Sequence, residues 1–518
     1  MKMKFIGYLL SVGLSVFSVN SAAQINFSWT VNAGPINPHQ TSPNQMYAQA
    51  MVYEPLVKYN KGGELLPWLA KSWQVSADGK AYTFFLRDDV KFSNGETFNA
   101  QAVKANFDQV LKNFEKHRWL ELINQIDKTV VADEFTVVLH LKNAYYPALQ
   151  ELSLVRPVRF MAPSAMPKEG NTGDGIAEPV GTGPWMLDTS VLGVKDTFVR
   201  NPYYWGEAPA HEKVEVAVIA DPNARALAFE SGMVNLIYGL EGQISPDTFD
   251  RFTKDPSLHT ALSDPISTRL IAMNSARSAT QEREVRIALN HAIDRDAIAK
   301  GIFYGTELPA NSLFARNVPY ADIELTDYNH SVKQAKKVLD DAGWVMSSED
   351  TYRSKEGKEL AVELVYHGHD ANQKAIAEVL QANFKDVGVK LILAAEERSR
   401  FYKRQKGGEF DLIFNNTWGS PYDPHSFVSG MRVPSHADYM AQAGLPNKAE
   451  IDQTIDAILS STDEAERKKL YTSLLNSLHD QAVYLPVTYM RITGVAASKL
   501  GKFSMGSTVF DIPFEQFQ

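Results

Sequence analysis

Three segments in the second half of the chain carry apolar residues at helical spacing beside short β-rich runs, and this alternation limits the fold more than any other feature. Val285, Leu289, Ala292 and Ile293 mark one helical face. Val332, Ala335, Leu339 and Ala342 mark another, closed by Gly343, and Ile376, Val379, Leu380, Phe384 and Val387 a third, closed by Gly388. Strand candidates lie at 363–366, 389–393 and 411–414. Helix and strand in alternation predict an α/β lobe with a largely parallel sheet. In the first half, 81–86 and 135–141 are β-rich and flank one helical face of Val103, Phe107, Val110, Leu111 and Phe114, with Asn99 as its cap. Ser461 and Glu464 predict a capping box before the helix of Leu470, Leu474 and Leu478. At 518 residues the chain exceeds one ordinary core. No repeat, low-complexity stretch or long linker separates its parts, so short connections suited to a hinge should join them.

The chain contains no cysteine, which removes disulfides, zinc fingers, iron–sulfur clusters, cysteine nucleophiles and an N-terminal lipid anchor on cysteine. Its formal charge of −9 argues against a nucleic-acid surface. Lys2 and Lys4 precede an apolar stretch, and Ser21, Ala22 and Ala23 supply small residues for cleavage. Residues 1–23 therefore read as a signal peptide, with the mature chain starting near Gln24 in a periplasm.

Further motifs are Leu66-Pro67-Trp68-Leu69-Ala70, Gly181-Thr182-Gly183-Pro184-Trp185, Asn201-Pro202-Tyr203-Tyr204-Trp205-Gly206, and Asn290-His291-Ala292-Ile293-Asp294. Together they resemble the large solute-binding proteins, family 5, of peptide and nickel ABC importers. Asn32-Ala33-Gly34-Pro35-Ile36-Asn37-Pro38-His39, Trp119-Leu120-Glu121-Leu122-Ile123 and Met431-Arg432-Val433-Pro434-Ser435-His436 are similar to the nickel-binding branch. The resemblance implies a two-lobed α/β clamshell of the large cluster C type, with an extra subdomain in the N-terminal lobe. That lobe should span 24–265 and be completed by 491–518, the second lobe spanning 266–490. The implied function is capture of a nickel–chelator complex for an inner-membrane ABC permease, by a protein that is monomeric and not an enzyme.

The same resemblance assigns His436 to the metal. Neutral imidazole suits nickel, although a lone loop histidine is ordinarily just exposed. One histidine leaves nickel short of its four to six donors, so the metal should arrive in a small chelate, such as one with L-histidine. Arg156 is assigned to the chelator's carboxylate, which a guanidinium grips with two hydrogen bonds, and Arg159 to a structural role. Met46, Trp119, Tyr402, Trp418 and Tyr422 are assigned to the cleft wall; for any one of them alone, core packing is the ordinary reading. Trp418 to Pro424 includes a glycine and two prolines, which place those rings on a loop. Lys116 stands where the best-known nickel-binding relative has arginine, keeping the charge without the fork.

Other readings stay open. His367 and His369 share a strand face if the strand continues, and His425 is a reserve ligand. Peptide binders of this fold anchor the peptide's amino group with an aspartate in the loop after a Trp-Gly pair. Here Trp418-Gly419-Ser420-Pro421-Tyr422 has no acid, though Asp423 could substitute. A haem could also fill an aromatic cleft holding one histidine. No nucleophile elbow, P-loop or metalloprotease motif occurs in a credible context.

Overall fold

The computed structural model describes residues 24–40, 45–240 and 242–517. The signal-peptide reading of 1–23 lies outside the described residues. Among them no helix is long and apolar enough to cross a membrane.

The second half is built on a six-stranded sheet in the order Leu308–Pro309, Tyr484–Met490, Ser267–Met273, Leu412–Asn416, Ala361–His367, Lys390–Glu396. Helix Ala371–Asp386 crosses between two of these strands, and helix Arg398–Gly407 precedes a third. Where these crossovers connect, pairing is parallel: Ala361–His367 runs with both Lys390–Glu396 and Leu412–Asn416. The other three pairings are antiparallel, which corrects the expectation of a largely parallel sheet. The reason lies in the path of the chain. Ser267–Met273 enters this body from the rest of the molecule and Tyr484–Met490 leaves it, so as neighbours they run in opposite directions.

Each connection out of this pair is a few residues long. Strand Leu258–Leu262 precedes Ser267–Met273, and strand Thr493–Ala497 follows Tyr484–Met490. The two connections are bonded together: Ser263 N–H donates to the Ile492 carbonyl at 3.0 Å, and Ile492 N–H to Ser263 Oγ at 2.8 Å. Thr493–Ala497 then takes the central place in a three-stranded sheet, between Leu236–Gly239 and Leu258–Leu262.

The first half adds two four-stranded sheets. One pairs Ile25–Trp29 in parallel with Lys213–Val218 and continues through Lys195–Arg200 to Trp185–Val191. The other is antiparallel, in the order Ala70–Val75, Ala81–Leu86, Thr136–Leu141, Ile126–Asp133, and is covered by helix Ala100–Lys112. That helix begins where its cap predicts, because Asn99 Oδ1 accepts the Ala102 N–H at 3.0 Å. Gly343 and Gly388 follow their helices at φ +83° and +80°, a conformation in which a Cβ is strained. The late helix is capped two residues beyond the predicted box. Asp463 accepts the Glu466 N–H at 2.8 Å, while Ser461 Oγ bonds the Glu466 carboxylate at 2.9 Å. Ser461 stays in the cap by accepting the Asp463 N–H at 3.2 Å, so it supports the aspartate that caps the helix.

Candidate functional site

A cleft of about 1110 Å³ lies between the two halves. From the first half come Met46, at the start of helix Met46–Val52; Lys116, on helix Phe114–His117; Trp119, in the turn after it; and Arg156. From the second half come Trp418 and Tyr422, on the loop after strand Leu412–Asn416, and His436, which directly precedes helix Ala437–Gln442.

The aromatic wall is continuous. Trp119 and Tyr422 have ring centroids 6.5 Å apart, Tyr422 and Trp418 6.4 Å, and Trp418 and His436 5.7 Å. Trp119 keeps 40% of its surface exposed, an apolar face presented to the cleft. Asp423 shapes the loop from behind: its carboxylate accepts the N–H groups of Trp418 at 3.1 Å and Gly419 at 3.0 Å. Burial pushes that carboxyl up to about 7.

His436 is half-buried, and its Nδ1 lies 3.1 Å from the Gly430 carbonyl oxygen. A carbonyl only accepts, so Nδ1 carries the proton and Nε2 keeps the lone pair a metal needs. Burial lowers the imidazole's proton affinity, which the Gly430 carbonyl partly offsets, and so favours the neutral ligand form. Opposite stand the cations. The Arg156 guanidinium lies 5.6 Å from the Trp119 ring centroid. Lys116 Nζ reaches the Gly173 carbonyl at 3.4 Å. Arg118 is paired with Glu115 at 3.2 Å, and Arg432 is paired with Asp456. Arg159 serves the backbone: it donates to the carbonyls of Leu154, Tyr53 and Ser153 and so braces the turn that carries Arg156.

Tyr402 stands on helix Arg398–Gly407, 42% exposed and edge-on to His367 at 5.8 Å, and is not among the described residues lining the cleft. That helix packs on strand Ala361–His367 and on helix Ala437–Gln442, and its Gln405 side chain donates to the Ser435 carbonyl at 3.2 Å. The other histidines are elsewhere too. His367 stacks on Phe401 at 3.8 Å, and His369, past the strand end, pairs with Glu397 at 3.0 Å. His425 is buried beside Tyr146 and lines a separate cavity with Asp423. Among the described residues no group of three or more His, Asp or Glu side chains gathers as a metal cage.

Glu151, Ser426 and Phe510 also line the cleft and were not expected. Glu151 lies in a short helix, Ala148–Leu152, and Phe510 in the tail, and no local pattern marks either.

The model of the bacterial extracellular solute-binding proteins, family 5 (middle), matches residues 64–439. This chain belongs to that family. Among family 5 relatives, the nickel-binding periplasmic protein of Escherichia coli (strain K12) is 49% identical over 504 residues, covering 97% of this chain and 96% of the relative. Heme-binding protein A of Haemophilus influenzae is 25% identical, over 85% of this chain and 81% of the relative. In structure the chain is similar to NikA from Brucella suis in complex with Fe(III)-EDTA. The TM-score is 0.93 at 53% identity, over 96% of this chain and 99% of that one. The fold is thus the two-lobed α/β clamshell of family 5.

Proposed function

We propose that this family 5 protein captures a nickel–chelator complex in the periplasm and delivers it to an ABC importer. The observation that carries the reading is the single committed histidine. Gly430 fixes His436 with Nε2 as its lone-pair nitrogen, beside an aromatic wall and across from Arg156 and Lys116. Such a site supplies one metal bond and a cationic clamp, so the remaining donors must come with the metal, on a chelator bearing carboxylate. The relative of Escherichia coli named for nickel, and the Brucella suis structure holding a metal–carboxylate chelate, support the same class of cargo.

In this reading 24–265 with 491–518 form one lobe and 266–490 the other. The short connections near Ser263 and Ile492 act as the hinge. The chelate settles on Arg156 and the Trp119 face, and closure brings Trp418, Tyr422 and His436 onto it; the cargo stabilises the closed state by the contacts it makes only there. A peptide cargo is less well served, because both oxygens of Asp423 are held by loop amides.

The test is calorimetric titration of the metal-free protein with nickel alone, with nickel plus excess L-histidine, and with di- and tripeptides. Binding of the nickel–histidine mixture, lost or reduced at least tenfold in His436→Ala, is the expected outcome. Heat with peptides and none with any nickel form would move the protein to the peptide-binding branch.

A further inference from the structure

Glu151 belongs to the first half of the chain, yet it is bonded to the helix that leads to the metal-binding loop. Ser426 Oγ donates to Glu151 Oε1 at 2.9 Å across a sequence separation of 275 residues, and Tyr145 Oη donates to the same oxygen at 2.8 Å. The Leu122 N–H donates to Oε2 at 2.8 Å. Ser426 lies on helix His425–Gly430. The last residue of that helix, Gly430, supplies the carbonyl that holds His436 Nδ1. A physical chain therefore runs from Glu151 through Ser426 and about one helical turn to the imidazole. Helices are stiff on this length, so fastening Ser426 fixes where the Gly430 carbonyl stands.

We infer that Glu151 is a positioning residue for His436: by tying helix His425–Gly430 to the first half of the chain, it sets the orientation of the metal-binding imidazole when the two halves are together. The metal role of His436 in this inference rests on the function proposed above.

The environment makes the tie sensitive to protons. Glu151 is 1% exposed, and burial pushes its carboxyl up to about 7, against the pull of its three donors. Tyr145 and Glu121 face it from the first half, where Arg156 lines the same cleft, and Tyr422 faces it from the loop of the second half; His425, beside Ser426, is held neutral by burial. Glu151 lines the cleft, so separating the halves returns it to water and toward its ordinary 4.5. The closed form then holds the proton more tightly than the open form. Closure is favoured below the ordinary carboxylate range and loses this contribution as pH rises through about 7.

Two measurements test the inference. The first needs no nickel: ¹⁵N NMR of the His436 ring in the ligand-free protein. The wild type is expected to hold the Nδ1–H tautomer, and Ser426→Ala, which keeps Glu151 and the fold, to show a mixture of tautomers. A ring signal unchanged in Ser426→Ala overturns the inference. The second is the affinity for nickel with L-histidine in wild type and Glu151→Gln at pH 6 and pH 8. Glutamine keeps an acceptor for Ser426 and Tyr145 but does not titrate. The ratio of the two dissociation constants should change about tenfold over that interval, whatever pH does to the chelate itself. A constant ratio overturns the proton-sensitive tie. If no nickel form binds either protein while the tautomer still responds, the proposed cargo is wrong and the positioning role stands.

Discussion

A single added methyl group should separate the ligand wall from the fold. Gly430 ends helix His425–Gly430 without a positive φ, so glycine is not required there by the backbone. A Cβ at that position would stand 2.9 Å from Trp418 Cη2 and Cζ2 and 3.1 Å from His436 Nδ1. These contacts are too short for carbon, so Gly430→Ala must push both the Trp418 ring and the imidazole. Overpacking of this kind costs about 1–3 kcal/mol. The change from glycine to alanine in a helical turn returns up to about 1 kcal/mol. Thermal stability should therefore fall by no more than about 3 kcal/mol, leaving the protein folded for the titration. Affinity for nickel with L-histidine should fall by the uncompensated displacement, about fivefold to 150-fold, read by calorimetry. The reasoning is refuted if Gly430→Ala binds as tightly as the wild type, because then neither ring position matters to the cargo.

Other perturbations probe the opposite wall and the loop. Arg156→Lys keeps the charge and loses the fork, and should weaken chelate binding by about 1–3 kcal/mol in the same titration. Tyr402→Ala should leave that affinity unchanged, since the ring stands edge-on to His367 and is not among the described residues lining the cleft. Asp423→Asn tests the buried carboxyl behind the loop. Its proton affinity is raised in the folded protein, so the wild type loses this contribution to stability as pH rises through about 7. The melting temperature of Asp423→Asn relative to wild type should accordingly climb between pH 5 and pH 8. At all pH values it carries a constant deficit, from an amide group facing the Trp418 and Gly419 N–H groups.

Much of the fold was legible where local chemistry decides it. Asn99 starts its helix because its side chain satisfies an N–H that would otherwise be orphaned, and Gly343 and Gly388 stop theirs because they adopt the left-handed turn. Strand direction was not legible. Whether Ser267–Met273 runs parallel or antiparallel to its neighbours depends on the path between the two bodies, which no periodicity encodes. In the site, Trp418 and Tyr422 were visible as rings on a loop broken by glycine and proline, and Lys116, Trp119, Arg156 and His436 do come together with them. Glu151 was not visible: its neighbours Leu122, Tyr145 and Ser426 are brought to it by the fold, and a glutamate in a short helix looks like any solvated one.

The central place of strand Thr493–Ala497 has a consequence for how the molecule is made. Leu236–Gly239 and Leu258–Leu262 have no direct pairing with each other and meet only through this late segment. A chain released into its compartment from the N-terminus onward carries both strands with unpaired edges until almost its whole length has emerged. The sheet therefore cannot close early around a partial chain. Truncation just before Thr493 should expose two edges at once, the condition that favours aggregation over a smaller but folded product. Completion of the first body is thus a check, built into the topology, that the second has already been delivered.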